Sequence, residues 1–597
     1  MCGICGEFRF DEQPADLSAV QRMTVRLERR GPDHGGSYSD GPLAFGHRRL
    51  SIIDLSEHAN QPMVDPQLCL ALVFNGTIYN YRELRRELSN KGYHFFSDGD
   101  TEVILKAWHA WGEECVERLH GMFAFALWDY RPEHKRLFLA RDRFGIKPLY
   151  YTVDNHRLRF ASNIQALLAG GEVDTSIDPV ALHAQFTLHG VVPAPHTVFN
   201  GVRKLAPAHC LLLDSKGQQQ LRRYWNYPVT RPERTLSELD WLDAIHTSLR
   251  EAVRKRNEVA DVPVGVLLSG GLDSSLLVAL LAEAGVRDLR TFSVGFEDQP
   301  EEKGSEFEYS DPVAEMYQTQ HHKFLVPNSE VLKRLPEAVD NMAEPMFGQD
   351  AVAFYLLSEQ VSQQIKVVQS GQGADEVFGG YFWYPRMLAE TEGEPVERFA
   401  KHYFDRDHAE YLRMVSPEFA GEDHTRGLIA QLLAEPEADT FLDAVLRMDQ
   451  TTLIVDDPVK RVDNMTMAWG LEARVPFLDH ELVALAARCP PELKLKEGGK
   501  YPLKMMARGI LPDAVIDRPK GYFPMPALKY VRGEFLAFMR DILDSRAARE
   551  RGIFRREYID MLMAAPEMHH TRIRGSKLWH IAVFEFWLQR QLQPGQV

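Results

Sequence analysis

Gly265-Val266-Leu267-Leu268-Ser269-Gly270-Gly271-Leu272-Asp273-Ser274-Ser275 is a short apolar run that ends on a Ser-Gly-Gly turn and passes directly into a helical pattern. A buried strand feeding a helix in this way converges several backbone N–H groups and a helix N-terminus on one point, which suits an anion. Glycine lets the backbone approach a phosphate closely, and Ser269, Ser274 and Ser275 offer hydroxyl donors. A plain strand-to-helix turn with an Asp/Ser cap is the simpler alternative; the full run after a strand favours phosphate. The G-K-[ST] ending of a P-loop is missing. Outward from this run, the periodicity predicts a helix over 239–257, a strand over 264–268, a helix over 274–284 and a strand over 289–295. Such alternation argues for a parallel sheet wrapped by helices. A second acidic run, Ser370-Gly371-Gln372-Gly373-Ala374-Asp375-Glu376, follows a buried strand predicted over 365–369, and the chain beyond about residue 385 reads as nearly all helical.

Upstream the pattern differs. Short apolar or alternating runs at 43–46, 69–74, 122–128, 136–140 and 158–161 are separated by Gly, Pro and Asn turns, with helical patterns at 81–88 and 101–111. They predict a β-rich layered domain over residues 2–214. Polar stretches at 215–220 and 227–233 place a linker at 215–235, and a second domain fills 236–597. A chain of 597 residues is long enough for two or three such units.

Composition excludes several classes. Lys+Arg 69 against Asp+Glu 85 gives a net charge of −16, which argues against nucleic acid or anionic lipid as the main partner. Six scattered cysteines fit no zinc or disulfide framework. No signal peptide or membrane-length apolar run is present, so the expected location is the cytoplasm, with no membrane partner.

The chain opens Met1-Cys2-Gly3-Ile4-Cys5-Gly6, so loss of Met1 leaves a thiol and a free α-amine on Cys2. An α-amine with a pKa near ~8 can take the thiol proton without a recruited histidine. An early cysteine alone is more often a small buried hydrophobe, so the remaining motifs decide.

The 265–275 run resembles the pyrophosphate-binding motif of the ATP pyrophosphatase superfamily, which implies Leu268, Ser269, Gly270, Gly271, Asp273, Ser274, Ser275, Val294, Ser370, Gly371 and Gln372 as ATP contacts. Asp273 and Asp375 would hold Mg²⁺ against the phosphates. With Arg30-Gly31-Pro32-Asp33, His47-Arg48-Arg49-Leu50, Phe74-Asn75-Gly76-Thr77, Gly99-Asp100-Thr101, Glu472-Ala473-Arg474-Val475-Pro476-Phe477 and Lys500-Tyr501-Pro502 also present, the whole chain resembles an asparagine-synthetase-type class II glutamine amidotransferase. The resemblance implies an α/β two-domain architecture. An Ntn-type αββα glutaminase sandwich precedes an ATP-pyrophosphatase-like domain with a parallel sheet and a helical C-terminal part. It also implies Cys2 as nucleophile, the Asn75 amide and Gly76 N–H as oxyanion donors, and Arg49, Asn75 and Asp100 as glutamine contacts. Lys500 would neutralise charge at the α-phosphate. Glutamine, ATP and a small carboxylate acceptor are the implied ligands, with an ammonia tunnel between the sites and a homodimer as the expected assembly.

Two departures stand out. Thr77 occupies a position where asparagine synthetases usually carry glutamate, so recognition of the glutamine ammonium is expected to lean on Asp100. Gln372 replaces the glutamate of S-G-E-G, which removes an anion for a free substrate ammonium, or a base for ammonia attack. The wording at 191–196, 306–311, 455–465 and 518–524 resembles a branch of the family that amidates N-acetylglutaminylglutamine. Aspartate, the acceptor of an asparagine synthase, is the alternative. A regulatory scaffold is disfavoured, since Asp273, Asp375 and Lys500 are all present.

Overall fold

The computed structural model describes residues 1–518 and 525–592; residues 519–524 of the 518–524 run lie outside them. Twelve strands build the amino-terminal part: β1 (Gly3–Arg9), β2 (His34–Asp40), β3 (Leu43–Arg49), β4 (Met63–Asp65), β5 (Leu70–Ile78), β6 (Gly121–Asp129), β7 (Arg136–Arg141), β8 (Tyr150–Val153), β9 (Arg157–Ala161), β10 (Arg203–Lys204), β11 (His209–Leu213) and β12 (Gln219–Arg223). They form two antiparallel sheets, ordered β10-β8-β9-β1-β3-β2 and β12-β11-β7-β6-β5-β4. Strand alternation explains how each sheet serves two layers. Ile4 and Phe8 of β1 join Phe45, Val73, Trp128 and Leu139 in the core between the sheets. Cys5 faces the other way, its Sγ 3.3 Å from Thr24 Oγ1 on the helix Leu17–Val25. The helix Thr101–Trp111 packs on β5 of the second sheet. The result is the four-layer αββα sandwich.

Strand β12 falls within the stretch read in sequence as linker. Its Gln-Gln-Leu-Arg-Arg composition carries no apolar alternation because it is a solvated edge strand, held by backbone pairing to β11.

The carboxy-terminal sheet is wholly parallel, β13 (Val264–Leu267), β14 (Arg290–Phe296), β15 (Gln320–Val326), β16 (Val367–Gln369) and β17 (Glu472–Arg474), in the order β15-β14-β13-β16-β17. The helix Glu238–Glu258 precedes it, started by a capping box between Ser237 and Asp240. Helix Leu272–Glu283 begins earlier than the periodicity suggested, which puts Asp273 in its first turn. Strand β17 interrupts a last third that is otherwise nearly all helical, as expected. Its Glu-Ala-Arg sequence does not look like a buried strand, yet Val367 pairs with Glu472 and Gln369 with Arg474, and all three residues of β17 are buried. Buried ion pairs tie the two halves together: Arg30 lies 2.9 Å and Lys147 3.1 Å from Asp463. No helix among the described residues is long and apolar enough to cross a membrane.

Candidate active sites

Two cavities carry the chemistry. The first, about 30 Å³, lies in the amino-terminal domain and is lined by Cys2, Arg49, Gly76, Asp100 and, from the other half of the chain, Glu472. Strand β1 delivers Cys2 beside the end of β5. The Cys2 backbone N–H donates to Asn75 Oδ1 at 3.0 Å. That bond fixes the Asn75 amide with its Nδ2 pointing elsewhere, and Nδ2, fully buried, finds no acceptor among the described residues. A buried unsatisfied donor is costly, and here it belongs to the residue bonded to Cys2, the proposed nucleophile, where an oxyanion would need one. Gly76 has no room for a side chain: a Cβ there would lie 2.2 Å from the Met122 carbonyl oxygen. Burial pushes the Cys2 thiol up, opposed by the N-terminal ammonium, the Leu50 backbone and Arg49.

The Arg49 guanidinium donates to the Ser56 carbonyl at 2.9 Å, to Asn60 Oδ1 at 2.7 Å and to the Asp54 carbonyl. It therefore organises the loop that walls the cavity. Asp100 Oδ2 accepts the Ile78 N–H at 2.9 Å, and burial pushes its carboxyl up to about 6. Met1 fills part of this space, with its ammonium 3.1 Å from Glu472 Oε2.

The second cavity, about 550 Å³, opens over the C-terminal ends of β13, β14 and β16. Leu268, Ser269, Gly271, Asp273, Ser274, Val294, Ser370, Gly371 and Gln372 all line it, as do Asp375 and Lys500. Gly270 and Ser275 do not. Gly270 sits at φ +73° against Tyr309 and Ser310, where a Cβ would meet the Ser310 nitrogen at 2.7 Å, so it shapes the turn from behind. Ser275 is fully buried one helical step away, because residues 274 and 275 face different sides of the helix. Ser269 and Ser274 cross-link the turn, their hydroxyls 3.1 Å apart, and no side chain caps the helix that starts after Gly271. Its first turn therefore carries no side-chain cap, as the proposed phosphate site requires.

Lys500 joins the two aspartates. Its Nζ lies 2.6 Å from Asp273 Oδ2 and 2.8 Å from Asp375 Oδ1, so both carboxylates address one point. The two carboxylates push the ammonium pKa upward against burial. Gly380 permits this convergence: a Cβ there would fall 2.1 Å from Asp375 Oδ1 and 2.2 Å from Lys500 Cε. Lys500 itself is held in the left-handed region at φ +57°, a strained conformation of the kind that persists at functional sites. Two carboxylates sharing one cationic point beside a helix N-terminus are a donor set that fits a magnesium nucleotide.

Residues 244–589 match the asparagine synthase family, and residues 1–225 match the glutamine amidotransferase domain. The chain belongs to the asparagine synthase family. It is 32% identical to asparagine synthetase [glutamine-hydrolyzing] 1 of Bacillus subtilis, over 98% of this chain and 96% of that protein. It is 33% identical to a putative asparagine synthetase of Mycobacterium tuberculosis, over 98% and 97% of the two chains. A solved glutamine phosphoribosylpyrophosphate amidotransferase from Bacillus subtilis matches 54% of this chain and 91% of its own at 14% identity and a TM-score of 0.30. As a member of this family the chain is an ATP-dependent carbon–nitrogen ligase that draws its nitrogen from glutamine.

Beyond the Ser-Gly-Gly turn the second cavity continues to a wall that includes Arg461, within the 455–465 run, and Phe347, Asp350, Trp383, Tyr403 and Asp449, which no sequence motif indicated. No local signal marks these five, since they come from separate segments of the chain. Glu472 in the first cavity was visible only as part of a family landmark.

Proposed function

We propose that the acceptor is the C-terminal carboxylate of N-acetylglutaminylglutamine, an N-blocked dipeptide amidated in osmolyte synthesis. The observation that carries this reading is the commitment of every carboxylate lining the second cavity. Asp273 and Asp375 are paired with Lys500, Glu302 with Lys529, Glu306 with Arg518, and Asp350 and Asp457 with Arg461. Glu376 accepts the Tyr381 hydroxyl at 2.7 Å. Asp449 bonds the Tyr384 hydroxyl, and burial pushes its carboxyl up to about 8, so it is largely neutral at pH 7. Gln372 is neutral, with its amide oxygen taken by the Ser370 hydroxyl. An acceptor with a free α-ammonium needs an anion to replace its hydration; an N-acylated one does not. Trp383 adds a matching donor, since its indole N–H is buried on this wall and meets no acceptor among the described residues. A peptide or acetyl carbonyl supplies one.

In the sequence of steps that follows, Cys2, its amine freed by loss of Met1, attacks the glutamine amide, and the Asn75 Nδ2–H and Gly76 N–H receive the oxyanion. Ammonia then crosses to the second cavity. Strands β16 and β17 are neighbours, and the Ser370 N–H donates to the Arg474 carbonyl at 2.9 Å, so Glu472 in one cavity and Ser370 in the other stand on adjacent strands. This pair of strands is the proposed route. At the second site the acceptor carboxylate attacks the α-phosphate of ATP, and ammonia displaces AMP from the acyl-adenylate. Mg²⁺, held by Asp273 and Asp375, would neutralise the departing pyrophosphate. The Ser-Gly-Gly turn orients the phosphates, and Lys500 shifts its ammonium toward the charge that develops at the α-phosphate.

Aspartate is the second reading, favoured by the activity named for the Bacillus and Mycobacterium relatives. Incubation with ATP, Mg²⁺ and glutamine plus either acceptor separates the two. The dipeptide is expected to exceed aspartate in kcat/KM for AMP release by on the order of 10²-fold or more, and Trp383→Phe is expected to raise the dipeptide KM while leaving that of ATP in place. AMP release with aspartate alone reverses the assignment.

A further inference from the structure

We propose that Glu472, on the edge strand of the carboxy-terminal sheet, is the anion that recognises the α-ammonium of glutamine in the amino-terminal site. This rests on Cys2 being the glutaminase nucleophile. Glu472 is fully buried and shares the cavity with Cys2, Arg49, Gly76 and Asp100. Its two oxygens are divided between tasks. Oε1 is anchored by Arg474 Nε at 2.6 Å, and Arg474 is itself pinned to the carbonyls of Arg256 and Val259 at 2.7 and 2.8 Å. Among the described residues Oε2 receives no hydrogen bond from side chain or backbone and meets a single partner, the Met1 ammonium at 3.1 Å. A primary α-ammonium already occupies the position assigned to the substrate's.

The charge at Glu472 is secure. Burial alone raises a carboxyl pKa, but Arg474, the N-terminal ammonium and Lys147 outweigh it and hold this one down to about 2. Asp100 is the weaker candidate, because its Oδ2 is engaged by the Ile78 N–H and burial pushes its carboxyl up to about 6. Thr77 closes the argument. Its hydroxyl lies 3.4 Å from Glu472 Oε1, so the side chain that stands where the family usually carries glutamate donates toward a carboxylate arriving from the other domain. The anion missing from β5 is supplied by β17. Once Met1 is gone, Oε2 is a buried oxygen without its cation, an unfavourable state that an incoming α-ammonium relieves.

The test compares glutamine with 4-carbamoylbutanoate, which is glutamine without its α-ammonium, as nitrogen donors for the full-length enzyme. The ratio of their kcat/KM values does not depend on the fraction of protein folded. Glu472→Gln is expected to narrow the preference for glutamine roughly 10- to 100-fold, through a rise in glutamine KM, while ammonia-driven amidation persists. Thr77→Glu in the same background is expected to restore the preference. An unchanged ratio in Glu472→Gln, with Cys2→Ala still abolishing glutamine use, overturns the assignment and leaves the nucleophile standing. A loss that Thr77→Glu leaves uncorrected also overturns it. Glutamine-dependent synthesis by Cys2→Ala overturns the glutaminase reading beneath it.

Discussion

Replacing Lys500 by methionine keeps the stem of the side chain and deletes its charge at the one point where two carboxylates meet. The ammonium lies 2.6 and 2.8 Å from Asp273 and Asp375. At an effective dielectric of about 20, a unit charge about 3 Å away contributes on the order of 5 kcal/mol. Part of that is present in the ground state, where the carboxylates already hold the ammonium, and water offsets part of the rest in a cavity that is open on one side. The differential left for the developing charge at the α-phosphate is about 3–4 kcal/mol, the range found when one preorganised donor is removed. The expected fall in kcat for AMP formation is therefore roughly 10²–10³-fold. Glutaminase activity, measured as glutamate release, is expected to stay within about threefold, because Lys500 does not line the Cys2 cavity. The assay follows pyrophosphate and glutamate in the same reaction. A loss of synthesis smaller than tenfold, or an equal loss of both activities, refutes the electrostatic role given to this residue.

Cys2→Ala is expected to abolish glutamine-driven amidation while ammonium salts still support it, and Asp273→Ala to block amidation from either nitrogen source while glutamate release continues. Gly380→Ala forces a Cβ into the Asp375–Lys500 contact; AMP formation is expected to drop at least 10-fold, about the effect of a displaced catalytic group, which steady-state kinetics reads directly. Asp100 gives a pH signature. With a carboxyl raised to about 6, it is protonated below that pH and ionised above, so if its charge assists glutamine binding, kcat/KM for glutamine rises with pH through an apparent pKa near 6. Ammonia-driven synthesis, corrected for the fraction of free ammonia, is expected to lack that inflection.

The strand-turn-helix at the proposed pyrophosphate loop was legible because its physics is local. A strand, a tight turn and a helix N-terminus follow one another within 265–275, and residue type and order suffice to place them. Even there the run of names outpaces the geometry: Ser275 reads alongside Ser274, yet a helix turns adjacent residues to different sides, and of the two only Ser274 lines the second cavity. Glu472 shows the opposite case. Glu-Ala-Arg carries no strand signature, and its two charges argue against burial, so nothing nearby in sequence indicates that it is buried, paired to β16 and aimed at a cysteine near the start of the chain. Its partners, Arg474 apart, come from remote segments. The proposed acceptor wall was hidden for the same reason, since Asp350, Trp383, Asp449 and Arg461 each lie on a different helical segment, and the pairing of Asp350 with Arg461 exists only after folding.

The contact between Met1 and Glu472 also sets an order of events during biosynthesis. Met1 is 2% exposed and covered by the strand Glu472–Arg474, made near the far end of the chain. An aminopeptidase needs an extended, uncovered N-terminus, so trimming has to come before that strand docks. At ~5–20 residues per second on the ribosome, the nascent chain leaves its first residue reachable for roughly 20–90 s. On the proposed mechanism, a polypeptide that misses this interval closes over its own uncut methionine and is left with free ammonia as its nitrogen source, its thiol lacking the neighbouring amine.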